Sequence, residues 1–253
     1  MNYLLFDFEH GHQSLGSKDR VKQILNLPVL TPDSWNDFQK VISQIYTTTE
    51  VMDKVMIGDI EVTESKKSII SKEGVIIDGI ILDTFSELSK KFQRTLVDKS
   101  GKMKLQQWGV LKYKIDGCLE FVTRMPGVVI CNCHSKNNTN DDGGNFITPF
   151  IDGSSKEDIS KWFDFVFYTK VVANKSTGVR EYLWVTANSE TYYHAKDRTN
   201  ILDSEIPQDY SLVLDAANKA GFNGSKILII GAPGSGKTKS LETLNKEKSQ
   251  WKQ

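Results

Sequence analysis

The sequence predicts an α/β protein with a mainly parallel β-sheet that is flanked by helices. Short apolar segments that suit buried strands alternate with segments whose apolar residues recur every three or four positions, as on amphipathic helices. This alternation is typical of doubly wound sheets, in which helices connect parallel strands. A glycine-rich pattern, G-x-x-x-x-G-K-T, occupies residues 231–238 directly after the apolar segment 227–230. We therefore expect a strand, a loop and a helix, in that order, in this part of the sequence.

The first half of the chain supplies two apolar strands and three helices. We predict strands over 3–9 and 79–83, and helices over 34–46, 84–97 and 105–125. The two strands end in the carboxylates Glu9 and Asp83. Residues 51–76 contain short β-rich pieces separated by Gly58-Asp59 and lysine-rich stretches, so we predict an inserted β-hairpin there.

The second half continues the alternation. We predict strands over 128–134, 165–172, 182–187 and 227–230, and helices over 155–163 and 208–220. Residues 135–144 are rich in Asn, Asp and Gly, which indicates an exposed, mobile loop. Asn223-Gly224-Ser225 is interpreted as a short linker into the strand 227–230.

The pattern at 231–238 is that of a phosphate-binding loop. Its glycines allow backbone N–H groups to surround phosphate oxygens, and a helix that begins at Lys237 would add its positive end. Lys237 is expected to contact the β- and γ-phosphates of ATP, and Thr238 to bind Mg²⁺. The predicted nucleotide-binding residues are Gly231, Ala232, Pro233, Gly234, Ser235, Gly236, Lys237, Thr238 and Lys239.

Phosphoryl transfer also requires an acidic residue that holds magnesium and a group that orients the attacking water. Asp83 ends an apolar strand and is the predicted magnesium residue. Glu9 is the predicted water-activating residue, with Asp7 or His10 as alternatives. At the end of the strand 128–134, His134 or Asn132 is a candidate for contact with the γ-phosphate.

The loop is followed by only 15 residues after Thr238. A phosphate-binding domain of this kind needs several more strands, so we expect the preceding strands to complete its sheet.

Several segments resemble RecA-type recombinases and phage RecA-like ATPases associated with single-strand annealing. They are Phe6-Asp7-Phe8-Glu9-His10, Ile80-Ile81-Leu82-Asp83-Thr84, Gln107-Trp108-Gly109, the strand that ends at His134, Lys196-Asp197-Arg198 and Ile206-Pro207-Gln208-Asp209. The resemblance covers most of the chain, with 51–76 as the main exception. It implies a Mg²⁺-dependent, oligomeric ATPase that acts in DNA recombination or replication and contacts single-stranded DNA.

The resemblance also implies roles for particular residues and an unusual chain order. Lys196 and Arg198 would reach into the nucleotide site of a neighbouring subunit. In the family the Walker A strand and loop come first, whereas here they come last. The chain is therefore similar to a circular permutant of a RecA-like core, with residues 1–253 forming a single domain and 223–225 joining the ancestral ends.

Composition and the distribution of residue types argue against several classes of protein. Lys and Arg together number 32, equal to Asp and Glu, so a strongly basic nucleic-acid binder is not indicated. We expect no membrane segment and a cytoplasmic location, in the bacterial host if the chain is phage-encoded. Cys131, Cys133 and His134 lie close together in sequence, but zinc is disfavoured because no second cluster supplies further ligands.

Three alternatives to this interpretation remain open from the sequence: two other functions and one other domain organisation. The loop also resembles those of nucleotide kinases, so a nucleotide or small-molecule kinase is one alternative. A non-catalytic module whose assembly depends on nucleotide is the second. The third is a two-domain protein cut short, in which residues 226–253 would not complete the first sheet.

Overall fold

The computed structural model describes residues 1–45, 48–57, 59–71, 74–173, 178–222 and 224–245; the side chains of residues 44–45, 48–57 and 62–68 are not described. Asn223 of the predicted linker and the residues after 245 lie outside these ranges.

The strands of the described ranges, in chain order, are β1 (Tyr3–Asp7), β2 (Asn26–Leu30), β3 (Thr48–Ile57), β4 (Ile60–Ile70), β5 (Ile76–Ile77), β6 (Gly79–Asp83), β7 (Val128–Thr139), β8 (Asn145–Pro149), β9 (Phe165–Ala173), β10 (Arg180–Val185), β11 (Lys196–Asp197), β12 (Glu205–Pro207) and β13 (Lys226–Gly231). The α-helices are α1 (Lys18–Leu25), α2 (Trp35–Ile45), α3 (Phe85–Gln93), α4 (Leu105–Thr123), α5 (Ser155–Asp158) and α6 (Tyr210–Lys219). Shorter 3-10 helices span Gly11–Leu15, Ile159–Trp162 and Lys239–Thr243.

The main sheet has the strand order β12-β10-β9-β13-β7-β6-β1-β2. The run from β9 to β2 is parallel throughout, and β10 and β12 add an antiparallel edge. The predicted α/β class with a mainly parallel sheet is therefore confirmed.

The strand β13 lies inside this sheet, between β7 and β9, although both precede it in the chain. Its residues pair with β7 from Lys226 to Gly231 and with β9 from Ile227 to Ile230. The expectation that this segment would not complete the sheet is therefore wrong for β13.

Helices cover both faces of the sheet. Alternate residues of β13 point to opposite sides, so that Leu228 and Ile230 pack in one core and Ile227 and Ile229 in the other. The helices α2, α3 and α4 contribute to the first core, and α1 and α6 to the second. Burial on both faces explains why these strands are continuously apolar rather than alternating.

The segment that carries the predicted hairpin lies outside the main sheet. The strands β3 and β4 pair antiparallel from Thr48–Ile69 to Ile57–Ile60, and β5 extends them into a separate small sheet. None of the helices in the described ranges combines the length and the apolar character that a bilayer span requires.

Two sequence-based expectations are corrected by the structure. The first half of the loop expected over 135–144 is strand, because β7 continues to Thr139 and forms a hairpin with β8, and 140–144 connect the two. The expected helix after the glycine-rich loop is a 3-10 helix of five residues, Lys239–Thr243. Its hydroxyl groups bond backwards, from Ser240 to Lys237 O and from Thr243 to Ser240 O, which competes with regular helix geometry.

Candidate functional site

The carboxyl ends of β1, β6, β7 and β13 meet at one edge of the sheet. Asp7 is in register with Asp83, Asp83 with Asn132, and Gly231 with His134. A cleft of about 860 Å³ opens at this edge. Its lining includes Glu9, Gly11, Asp83, Thr84, His134, Tyr182, Gln208, Gly236, Lys237 and Thr238.

The backbone of the glycine-rich loop explains its sequence. Gly234 and Gly236 have φ angles of 74° and 94°, in the left-handed region that favours glycine. Gly231 is required for a different reason, since a β-carbon there would lie 1.8 Å from Thr169 Oγ1. The positive end expected of a helix that begins at Lys237 is not available, because the helix that follows is a 3-10 helix of five residues, Lys239–Thr243. The groups of the loop that remain available to a phosphate are its backbone amides and Lys237.

Lys237 is folded back into its own loop. Its Nζ donates to the carbonyl oxygens of Gly231, at 2.8 Å, and Ala232, at 3.0 Å, and the residue is only 6% exposed. Burial lowers the pKa of Lys237, and the nearby carboxylates of Asp83 and Glu9 oppose that shift. Two carbonyl oxygens only partly satisfy an ammonium group, so a phosphate that enters the loop offers it a stronger, oppositely charged partner.

Asp83 and Thr238 are joined directly, since Thr238 Oγ1 donates to Asp83 Oδ2 at 2.6 Å. Asn132 Nδ2 donates to the other carboxylate oxygen at 3.0 Å. Asp83 is 2% exposed; burial raises its pKa, and the hydrogen bonds from Thr238 and Asn132 oppose that rise. The structure thus brings together the two residues that the sequence assigned to magnesium.

The oxygen atoms around Asp83 fit a magnesium ion. Mg²⁺ prefers hard oxygen ligands and is commonly held by one or two protein groups together with substrate phosphates. The Oδ1 atom of Asn132 is buried without a hydrogen-bond partner among the described residues, which leaves one further acceptor beside the carboxylate. Larger clusters of three or more His, Cys, Asp or Glu side chains suited to a metal are absent from the described ranges.

Glu9 follows β1 at the same edge, and its carboxylate contacts Thr84, directly after β6, and His134 of β7. His134 Nε2 is 2.7 and 2.9 Å from its two carboxylate oxygens, and the Thr84 hydroxyl donates to Oε1. Partial burial would raise the pKa of Glu9, but the hydrogen bonds from His134 and Thr84 hold it below its usual value. Glu9 is therefore ionised at neutral pH, as a general base must be.

Asp7, an alternative to Glu9 in the sequence reasoning, has another role. One carboxylate oxygen accepts from the backbone N–H groups of Glu9 and Gly11, each at 3.0 Å. The other accepts from the His12 backbone at 2.8 Å and from His12 Nδ1 at 2.5 Å. Four donors use the acceptor capacity of a carboxylate. Asp7 therefore holds the loop 9–12 in place. The sequence analysis did not predict these hydrogen bonds to residues two to five positions further along the chain.

Lys196 and Arg198 lie at the opposite edge of the sheet in the same chain. Lys196 Nζ donates to Ser160 O at 2.6 Å, and Arg198 Nη1 pairs with Asp164 Oδ1 at 2.7 Å. Asp164 also bonds the backbone of Lys226, which begins β13. The length of β13, roughly 17 Å at about 3.3 Å per residue, separates this edge from the loop. The structure does not bring the two cations to the cleft of their own chain, and action in a neighbouring subunit stays a prediction.

The sequence analysis did not predict the residues at the other end of the cleft, Tyr182 and Gln208. Tyr182 is 39% exposed, and its ring lies beside Gly236, where an added β-carbon would be 3.1 Å from Tyr182 Cδ1. Gln208 Nε2 donates to Ser235 O at 2.9 Å and to Leu183 O at 3.2 Å. These residues form an apolar and amide-lined wall on the side of the loop away from Glu9.

The cysteines lie in the apolar interior. Cys118, Cys131 and Cys133 are buried free thiols. Burial raises the pKa of Cys118 to about 12, and raises that of Cys131 well above its usual value, so both remain protonated.

Comparison with known proteins gives one match. A family model described as an AAA domain matches residues 1–199, most of the chain. This range contains Glu9, Asp83 and His134 but ends before β13 and the loop 231–238. Searches of curated proteins and of solved structures find no match.

Proposed function

The chain belongs to the AAA domain family, and from that premise we propose that it is a Mg²⁺-dependent ATP hydrolase. The observation that carries this proposal is the insertion of β13 between β7 and β9. It brings the phosphate-binding loop to the sheet edge where Asp83 and Glu9 lie, with Thr238 Oγ1 2.6 Å from Asp83 Oδ2.

The loop residues bind and orient the triphosphate. The amides of the loop face the phosphates, and Lys237 exchanges its carbonyl partners for the β- and γ-phosphate oxygens. Thr238 and Asp83 would hold Mg²⁺, which when bound neutralises phosphate charge and orients the leaving group. Lys239, which follows directly, pairs with Glu242 at 2.6 Å and lies at the rim of the cleft.

Glu9 accepts a proton from the attacking water in this proposal. Its lowered pKa keeps it ionised, and its hydrogen bonds to Thr84 and His134 fix its direction. His134, on β7, is then the group that exchanges its bond to Glu9 for one to the γ-phosphate. This exchange would link the presence of ATP to the position of the base.

The adenine base is proposed to lie at the other end of the cleft. The exposed ring of Tyr182 offers a stacking surface, and stacking of a base on an aromatic side chain contributes about 1–3 kcal/mol. Gln208, already bonded to the loop backbone at Ser235, holds this wall in place.

Circular permutation is proposed to explain the strand order. The sheet position of β13 is the one that a loop-bearing strand would fill if it came first in the chain. The amino end of the chain supports this: Met1 N lies 3.3 Å from Asn245 Oδ1, and Asn245 Nδ2 lies 3.1 Å from Met1 O. A connection between these two points would be short, and compact domains tolerate such rearrangement.

An oligomeric state and a role in phage-type DNA recombination or replication are proposed from the family resemblance. In a ring or filament, Lys196 and Arg198 of one subunit would stabilise the transition state in the next. Single-stranded DNA is the proposed stimulating partner, and ADP and phosphate the products.

The deciding experiment is a phosphate-release assay with ATP in Mg²⁺ and in EDTA, with and without single-stranded DNA. The proposal expects Mg²⁺-dependent release that Lys237→Ala abolishes. Release that requires an added nucleoside monophosphate would indicate a kinase instead. Tight nucleotide binding without turnover under all conditions would indicate a non-catalytic module and overturn the hydrolase proposal.

A further inference from the structure

Gly11 occupies an unusual position in the cleft. A β-carbon added to it would lie 3.3 Å from Thr238 Oγ1, 3.4 Å from Asp83 Oδ2 and 3.9 Å from Asp7 Oδ1. Three oxygen atoms from three separate elements therefore surround the space in front of its α-carbon. Two of them belong to the residues proposed to hold the cation.

The backbone of Gly11 does not require glycine. Its φ angle lies outside the left-handed region, in contrast to Gly234 and Gly236 of the phosphate-binding loop. Gly11 begins the 3-10 helix Gly11–Leu15, a conformation that alanine also adopts. The absence of a side chain must therefore be explained by the space that it leaves.

The position of Gly11 is fixed by Asp7. The N–H of Gly11 donates to Asp7 Oδ1, while the backbone and ring of His12 donate to Oδ2. Asp7 and His12 are 1% and 6% exposed, so this attachment is sheltered from water.

We propose that Gly11 leaves open the space that the hydration shell of Mg²⁺ requires in the Mg²⁺–ATP complex, and that Asp7 is the positioning residue that holds Gly11 there. Mg²⁺ gives up its waters reluctantly and usually keeps several of them in protein sites. A methyl group at residue 11 would occupy a position within 3.4 Å of both Thr238 Oγ1 and Asp83 Oδ2. A water that hydrates the cation would then lose its place.

This inference rests on the proposed function, because it concerns the cation that accompanies ATP. It makes a prediction that the proposed function alone does not make. The nucleotide itself contacts the loop 231–238, so a methyl group on Gly11 should impair the contribution of Mg²⁺ to binding and leave metal-free binding unchanged.

The test compares Gly11→Ala with wild type in the full chain. Binding of a fluorescent ATP analogue is measured in EDTA and across a MgCl₂ titration, and thermal unfolding is recorded for each variant. We expect unchanged affinity in EDTA and a Mg²⁺ half-saturation concentration raised about tenfold, as for the loss of one hydrogen bond to a charged group. Gly109→Ala is the matched control, since a β-carbon on Gly109 of α4 would meet no described atom within 4 Å.

A second variant tests Asp7. Asp7→Asn keeps the size of the side chain but sets an N–H donor against the donors of the loop, so it should raise the Mg²⁺ half-saturation in the same way. Wild-type Mg²⁺ dependence in Gly11→Ala would overturn the proposal, and the same result in Asp7→Asn would remove Asp7 from it. An equal loss of affinity with and without Mg²⁺ would also overturn it, since the methyl group would then act on the nucleotide. Failure of the wild-type protein to bind ATP would count against the proposed function itself.

Discussion

Glu9→Gln separates nucleotide binding from water activation. Glutamine has nearly the volume of glutamate, and its Oε1 still accepts from the Thr84 hydroxyl. The other carboxylate oxygen, 2.9 Å from His134 Nε2, is replaced by an amide that cannot accept a proton. The phosphate-binding loop is not touched by this change, so ATP binding should be retained while hydrolysis is lost.

The expected magnitude follows from the role of a general base. Positioned acid–base groups contribute about 10²–10⁴ in rate, which corresponds to roughly 2.7–5.4 kcal/mol of transition-state stabilisation. The effect on folding should be much smaller. The Glu9 and His134 side chains are 29% and 16% exposed, and solvent-accessible ion pairs contribute about 0–1 kcal/mol.

The assay is single-turnover hydrolysis with protein in excess over ATP, together with the affinity for a fluorescent ATP analogue. Glu242→Gln is the matched control, because Glu242 also lines the cleft but pairs with Lys239 on the 3-10 helix. The control should hydrolyse ATP within about twofold of wild type. A normal single-turnover rate in Glu9→Gln would refute the assignment of the base.

The pKa of Glu9 adds a pH test to this prediction. Hydrogen bonds to the carboxylate outweigh burial and hold the pKa of Glu9 below 4.5, so the folded state favours the ionised form. The stability that this provides is present at neutral pH and is lost as pH falls through the lowered pKa. Wild-type hydrolysis should therefore show no loss assignable to Glu9 between neutral pH and about pH 5. A fall in the free energy of unfolding between neutral pH and about pH 5 that is absent from Glu9→Gln would contradict the pKa direction.

Three further predictions concern the phosphate-binding loop, the stacking of adenine on Tyr182 and the assembly of subunits. Lys237→Ala should weaken ATP binding by roughly tenfold or more, since a charge-assisted hydrogen bond contributes about 1.5–3 kcal/mol, and calorimetry should show the loss; unchanged affinity would contradict the loop assignment. Tyr182→Ala should raise the Kd for ATP by about 5- to 160-fold, whereas Tyr182→Phe should bind as wild type; equal effects of the two would exclude stacking. Alanine at both Lys196 and Arg198 should nearly abolish turnover and leave ATP binding intact, and mixing with Lys237→Ala should restore some activity. Concentration-independent turnover without rescue would return both cations to ordinary surface charges.

The residues that sequence reasoning placed at the cleft share a simple signal. Glu9 and Asp83 come at the ends of continuous apolar segments. Such segments are typical of strands that are buried on both faces. The carboxyl ends of parallel strands lie at one edge, so the convergence of these residues with Thr238 could be anticipated. The glycines of the loop pattern could also be explained in advance, because Gly234 and Gly236 both have the positive φ angles that glycine adopts easily.

Other features depend on contacts that the local sequence does not contain. The extension of β7 through Asn137 and Asn138 opposes their low strand propensity, and it is supported by pairing with β8 and by a bond from Asn138 to Thr148. The role of Gly11 arises from atoms more than 70 residues away in Asp83 and Thr238.

One missed element carried a readable local signal. In α1, the Ser17 side chain accepts from the backbone N–H of Arg20, which is the usual N-cap arrangement. Val21 and Leu25 follow at helical spacing and are buried. The strand β2 that follows contains Pro28, which a strand at the edge of a sheet tolerates.

The central place of β13 has a consequence for how the protein is made. On the ribosome, β7 and β9 emerge well before β13, and neither pairs with the other in the finished sheet. Until residues 226–231 are released, β7 and β9 lack the strand that joins them, so any part of the sheet that has already formed has an unpaired apolar edge. Unpaired edges can pair with strands of other chains, and pairing between strands that are far apart in the sequence is slow. Yield in the cell should thus depend on the speed of synthesis and on chaperones more strongly than the stability of the finished fold would suggest.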